Sequence, residues 1–201
     1  MSLSQRSHSE SPCSVARTVD VLGDQWTLMI LRDCMHGVRR FDDFRRSLGI
    51  ARNTLSDRLA RLVENDILTR EFYQHNPPRC EYVLTERGRD LFPVITGILV
   101  WGDKWLDGGA GAPIALFHET GEPAHALTPE LVCATCGAPV RHLDTQFCVG
   151  PGYPDDIAPD RDLRSRLALV PGGDGGRLHV GREQSSTGST SPRDRRSRRR
   201  R

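Results

Sequence analysis

The chain has 201 residues, 37% hydrophobic and 27% charged, with a formal net charge of +2, which predicts one domain plus an appendage and enough apolar material for a modest core. No run approaches the ~20 consecutive apolar residues of a membrane-spanning helix, and the N-terminal stretch lacks the basic start and apolar block of a secretory leader, so the reading is a cytoplasmic protein with no membrane partner. Six cysteines in such a chain read as reduced thiols or metal ligands rather than as a disulfide framework.

Residues 1–11 are polar and serine-rich and are expected to be disordered. Dense patterning then covers 12–106. A first helix is predicted over 14–22, closed by Gly23. Asp24 can cap the next, in which Trp26, Ile30 and Cys34 share a face before Gly37 ends it. Phe41, Phe44 and Leu48 repeat the helical spacing in a third element, with Asp42 and Asp43 suited to its positive N-terminal end, and Gly49 breaks the chain. The fourth helix is predicted over about 51–64, with Ala51, Leu55, Leu59 and Leu62 forming one apolar stripe. Its other side carries Asn53, Ser56, Asp57 and Arg61, flanked by Arg52 and Arg58. Residues 39–61 hold seven arginines against three aspartates, a local charge of +4, which is an electrostatic footprint for a polyanion or a solvated surface.

Two β-compatible runs come next, 67–73 and 79–84, joined by the five residues Gln74 to Pro78. Thr85 can cap a helix in which Leu91, Ile95, Ile98, Trp101 and Trp105 recur at helical spacing, provided that Pro93 lies near its start or kinks it. Residues 107–115 form a Gly/Ala-rich linker and 116–153 a small Cys/His-rich extension. The remainder, 154–201, is expected to be mostly disordered, with one short apolar element over 163–170. Its last nine residues carry seven arginines and one aspartate, which would add affinity for any polyanion without reading sequence.

This order predicts an α+β, mainly helical fold: a winged helix-turn-helix domain with terminal dimerisation helices, then the extension and an Arg-rich tail. If the leucine stripe anchors the fourth helix, its far face is free to enter a major groove. N-terminal residues of such a helix meet base edges, which nominates Arg52, Asn53, Thr54 and Ser56. Arg58 and Arg61 suit backbone phosphates, and His75 and Arg79 a wing reaching the adjacent groove. The partner is then double-stranded DNA. A non-DNA-reading interaction or scaffold module remains the alternative. Enzymatic motifs are missing: there is no phosphate-cradling Gly-rich loop, no Gly-x-Ser-x-Gly and no His-Glu-x-x-His.

The runs Cys13-Ser14-Val15-Ala16-Arg17 and Gly23-Asp24-Gln25-Trp26-Thr27-Leu28-Met29-Ile30-Leu31-Arg32 resemble the opening of HxlR-type transcriptional regulators. The likeness continues through Arg40-Phe41-Asp42-Asp43-Phe44, Asn53-Thr54-Leu55-Ser56-Asp57-Arg58-Leu59, Pro77-Pro78-Arg79, Glu81-Tyr82-Val83-Leu84-Thr85 and Trp101-Gly102-Asp103-Lys104-Trp105. The resemblance covers about residues 12–106. It implies a winged-helix homodimer that binds operator DNA to repress or activate nearby genes, foremost as a repressor, with an oxidant, electrophile or small molecule as inducer. The pairing surface would carry Leu91, Ile95, Ile98, Trp101 and Trp105, whose apolar area one small domain cannot easily cover, and two-fold symmetry predicts an inverted-repeat site. Cys13 matches the position of a redox- or electrophile-sensing thiol in some relatives. One departure stands out. Where this family often has a serine capping the recognition helix, this chain has Ala51, so the helix is expected to begin as late as Asn53.

Cys34 reads as core, and nothing beside Cys80 enforces reactivity. Cys133-Ala134-Thr135-Cys136-Gly137 has the spacing of a zinc knuckle. Structural zinc would need two further ligands, with His118, His125, His142 and Cys148 available and His118 and Cys148 preferred. A redox dithiol and unligated thiols are the other readings. Regulators with this kind of extension carry a further Cys-Gly pair upstream, where this chain has His118-Glu119-Thr120-Gly121.

Overall fold

The computed structural model describes residues 8–119, 123–148, 150–154 and 156. The expectations for 1–7 and for 157–201, including the apolar element and the arginine run, lie outside the described residues. Two compact units separate between Arg141 and His142, inside the segment 116–153. In the second, the described residues include one 3-10 turn, His142–Asp144. All the other helices and strands of the described residues lie in the first unit.

Helices α1 (Ser14–Leu22), α2 (Gln25–Met35), α3 (Phe41–Leu48) and α4 (Arg52–Glu64) lead into the antiparallel hairpin β1 (Leu68–His75) and β2 (Pro78–Leu84). The core is built from the apolar faces of these elements. Ile30, Leu31, Phe44, Leu55 and Leu59 are fully enclosed, joined by Leu22, Ile50, Leu62, Ile67 and Leu68. Burying a leucine or isoleucine side chain contributes about 1.5–3 kcal/mol, so the stripe on α4 is a large share of what holds the domain.

Local chemistry sets the joints. Gly49 ends α3 in the left-handed region, at φ 63°, which is open to glycine at little cost. Asp24 caps α2: its carboxylate accepts from the Trp26 and Thr27 N–H groups at 3.0 and 3.1 Å and from the Thr27 hydroxyl. The Nε of Arg58 donates to the same carboxylate at 3.0 Å. Burial alone would raise the Asp24 pKa, but the Thr27 hydroxyl and N–H, then the Arg58 charge, outweigh it and hold the carboxyl below its usual range. Helix α4 begins at Arg52. Ala51 is its N-cap, in extended backbone with no side-chain acceptor, so the absent cap serine moves the start by one residue from 51 rather than to Asn53.

The wing is longer than the sequence predicted. His75 pairs with Pro78, leaving only Asn76 and Pro77 at the turn, and an irregularity between Phe72 and Gln74 absorbs Tyr73. Arg40 bridges to Glu81, and the Tyr82 N–H donates to the Arg39 carbonyl at 2.8 Å, so the segment before α3 docks on the hairpin. The helix predicted after Thr85 is two. Thr85 caps α5 (Glu86–Arg89) by accepting from Gly88 N–H at 3.0 Å, and α6 (Phe92–Trp105) starts afresh with Pro93 in its first turn. Proline donates no N–H, so it stands where that group would lack a partner anyway. Gly88 is required by close approach: a Cβ there would lie 2.2 Å from the Ile67 carbonyl oxygen.

Beyond α6 the regular structure is slight. Strands β3 (Phe117–His118) and β4 (His125–Ala126) pair, and Val132 bridges to Pro139. No helix among the described residues is long and apolar enough to cross a membrane.

Replacing Asp24 with alanine should lower the unfolding free energy by about 1–2 kcal/mol at neutral pH through loss of the cap. Because the folded-state pKa lies below the ordinary value of 3.8, this contribution is present above that pH and lost as pH falls through the folded value. Urea melts of the two proteins should therefore converge on acidification.

Candidate nucleic-acid interface

The enclosed Leu55, Leu59 and Leu62 pin one side of α4 to the core and leave Arg52, Asn53, Ser56, Asp57 and Arg61 exposed, with Thr54 half-buried. Sequence reasoning nominated these side chains separately; the fold puts the leading ones beside the wing. A groove of about 540 Å³ runs between α3, α4 and the hairpin, with Arg52 and Ser56 on one wall and Arg79 with Tyr73 on the other. The Arg52 guanidinium lies over the Phe41 ring, 5.3 Å from its centroid. Such stacking holds a long side chain without consuming its donors. His75 stands exposed at the turn end of β1, outside the groove lining.

Three residues that sequence reasoning did not nominate brace this groove. Arg40 donates from Nε to Glu81 at 2.8 Å and its guanidinium stacks 4.7 Å from the Tyr73 ring centroid. The pair joins positions 41 residues apart, and no local spacing announces it.

Arg58 and Arg61, expected at phosphates, each make a contact within the chain. Arg58 is half-buried in its pair with Asp24, and Arg61 donates to the Asp20 carbonyl oxygen at 2.9 Å. Both line a second cleft of about 650 Å³ on the α1 side of α4, together with Arg17 and Arg87.

The face expected to pair with a second copy divides. Leu91 and Ile95 pack against the chain's own core, whereas Ile98, Trp101 and Trp105 are 50, 57 and 63% exposed. Val15 and Val19 of α1 are exposed as well.

The thiols differ in environment. Cys13 is the N-cap residue of α1 and half-buried. Burial, then the neighbouring Asp33 charge, pushes the Cys34 thiol up to about 12, consistent with a core role. Cys80 is half-buried in the groove. Cys133 lies below its ordinary value because the N–H groups of Cys136 and Thr135 and the Cys136 thiol are directed at its sulfur. Of the nominated metal ligands, His118, Cys133 and Cys136 belong to the first unit and Cys148 to the second.

A helix-turn-helix whose second helix is pinned by leucines, flanked by a β-hairpin and a groove lined by Arg40, Arg52 and Arg79 with Asp42 and Asp43, defines the winged-helix class of DNA-binding proteins. The comparison with known proteins narrows this. Residues 21–109 match the HxlR-like helix-turn-helix family model. A protein of Mycobacterium tuberculosis, Rv3095, described as an HTH-type transcriptional regulator, is 43% identical over 159 residues, spanning 79% of this chain and 99% of that one. Among solved structures, PA1607, described as a candidate transcription factor, superposes with a TM-score of 0.61 at 34% identity over 71% of this chain and 98% of that one. PA1374 of Pseudomonas aeruginosa gives 0.52 at 32% identity over 72% and 97%. The chain belongs to the HxlR-like family: it is a DNA-binding transcriptional regulator, not an enzyme. The matches to Rv3095 and PA1607 are too long for residues 21–109 alone, so the likeness runs beyond the winged domain.

Arg58→Ala should lower stability by about 1 kcal/mol, since it strips one partner from a partly buried pair, and should leave the salt dependence of DNA binding unchanged. Thermal melts and a salt titration of DNA affinity check the two halves separately.

Proposed function

We propose that this regulator binds an inverted-repeat operator as a homodimer and represses the adjacent promoter by occupying it. The observation that carries the reading is the two-sidedness of α4: three leucines buried to within 1% fix the helix, and its opposite face meets the wing across a groove rich in arginine. Arg52 and Asn53 then address base edges from the N-terminal turn, each able to make two hydrogen bonds to one base. Thr54 and Ser56 supply shorter contacts, and Arg79 and His75 follow the backbone or the neighbouring groove from the wing. Arg58 and Arg61 act mainly by holding α4 against α1 and α2.

A second copy is the natural cover for Ile98, Trp101 and Trp105, together with the exposed valines of α1. Two-fold pairing would set the recognition helices about 34 Å apart, one turn of duplex. Such a dimer covering a promoter excludes polymerase sterically, which favours repression, and would act in the cytoplasm on the nucleoid. Cys13, at the head of α1, places a thiol at the root of the proposed pairing surface, where an oxidant or electrophile would alter the dimer.

Fluorescence anisotropy on the chain's own upstream region against random duplex tests the reading: marked preference for the former supports it, and equal affinity refutes it. Arg52→Ala should relax base preference at one position of each half-site at a cost of about 1–3 kcal/mol. Arg79→Ala should weaken all duplexes alike and reduce the salt slope by about one. Trp101→Asp should yield a monomer with intact helical circular dichroism and loss of operator binding, measurable by light scattering and gel shift.

A further inference from the structure

One cavity shares no residue with the groove beside the wing. It is a slot of about 280 Å³ lined by Val21, Leu22, Ile67 and Leu91 together with the arginines Arg17 and Arg87. The two arginines and Val21 also line the cleft of about 650 Å³ that holds Arg58 and Arg61. An apolar slot and a cationic cleft therefore share this arginine pair. The slot lies just under the range of about 300–1,000 Å³ typical of drug-sized sites, which admits one small ring system or a short chain and excludes a nucleotide.

The four arginines are unequally satisfied. Arg58 pairs with Asp24 at 3.0 Å, and Arg61 donates to the Asp20 carbonyl at 2.9 Å. Among the described residues, Arg17 donates only to neutral oxygens, the Ser11 carbonyl and, at 3.0 Å, the Ser14 hydroxyl. The Arg87 guanidinium makes no hydrogen bond or ion pair among them. The two cations that border the apolar slot are thus the two without a carboxylate. Their mutual repulsion is relieved by one anion, and a guanidinium fork matches a carboxylate through two parallel hydrogen bonds. The slot also avoids the expected pairing face. At about 100° per residue, Ser14, Thr18 and Val21, which line it, fall within about 60° of one another on α1, and the exposed Val15 and Val19 lie about 120° further round.

We propose that the slot is an effector site for a small organic monocarboxylate, whose apolar ring or chain lies against Val21, Leu22, Ile67 and Leu91 and whose carboxylate is held by Arg17 and Arg87. An anion held there stands in the cleft that contains Arg58 and Arg61. It competes for the guanidinium donors that tie α4 to α2 and α1, so operator affinity falls when the site fills. That last step rests on the reading of α4 as the helix that meets DNA. The binding step does not.

The test titrates the full-length chain with sodium 2-naphthoate by isothermal calorimetry, beside the neutral 2-naphthamide. The expected result is one naphthoate per chain, with the amide bound about tenfold more weakly or not at all, since it lacks the charge. Arg17→Ala and Arg87→Ala should each weaken naphthoate by about tenfold, the loss of one charge-assisted partner. Thr18→Phe fills the slot while keeping both charges and should abolish binding. All three positions are exposed, so helical circular dichroism should match the parent. Anisotropy on the upstream region should then show that naphthoate weakens operator binding several-fold in the parent and leaves Thr18→Phe unaffected. No heat with naphthoate, equal affinity for acid and amide, or acid binding indifferent to the arginine and Thr18 substitutions would overturn the site. A saturated site with unchanged operator affinity would overturn the effector role. Failure of the DNA reading would look different: equal affinity for operator and random duplex with no naphthoate present.

Discussion

Everything in the winged domain depends on the burial of the α4 leucine stripe. Leu55, Leu59 and Leu62 are enclosed among Ile30, Leu31, Phe44 and Leu68, which fixes both the position of the helix and its rotation about its own axis. Rotation matters most here. With 3.6 residues per turn, each residue advances the face by about 100°, so a slip of one position would turn Arg52 and Ser56 away from the groove. The apolar side thereby decides where the polar side points.

Charge then ties the surrounding elements to that helix. Asp24 serves at once as the α2 cap and as the partner of Arg58, and Arg61 reaches the last turns of α1 through the Asp20 carbonyl. Helix α4 is thus linked by side chains to α1, which exposes Val15 and Val19. On the opposite flank, Arg40, Glu81 and Tyr73 lock the wing to the start of α3, so both edges of the groove are braced before any ligand arrives.

Much of the architecture was legible because local signals agreed. Asp24, Gly49 and Thr85 sit where a cap or a left-handed residue is needed, and the spacing of Leu55, Leu59 and Leu62 is helical without ambiguity. Harder to read were places where two local rules compete. Gln74 to Pro78 reads as a five-residue connection, yet His75 and Pro78 pair at the end of the ladder and the turn contracts to Asn76 and Pro77. The helix capped by Thr85 had to break before Pro93, but sequence alone left open whether it would kink or restart.

The sequence by itself determined the order of elements, the apolar stripe that positions α4 and the family to which the chain belongs, because these are written in short-range periodicity and in motifs a few residues long. Only the tertiary structure decided which arginines face outward. Arg52 and Arg58 are equivalent on a helical wheel drawn in isolation, six residues apart on the flanks of one stripe. One is left above Phe41 in an open groove, and the other is claimed by Asp24 from 34 residues away, since the partner of a charge is set by what the fold brings within about 4 Å and not by its neighbours in the chain.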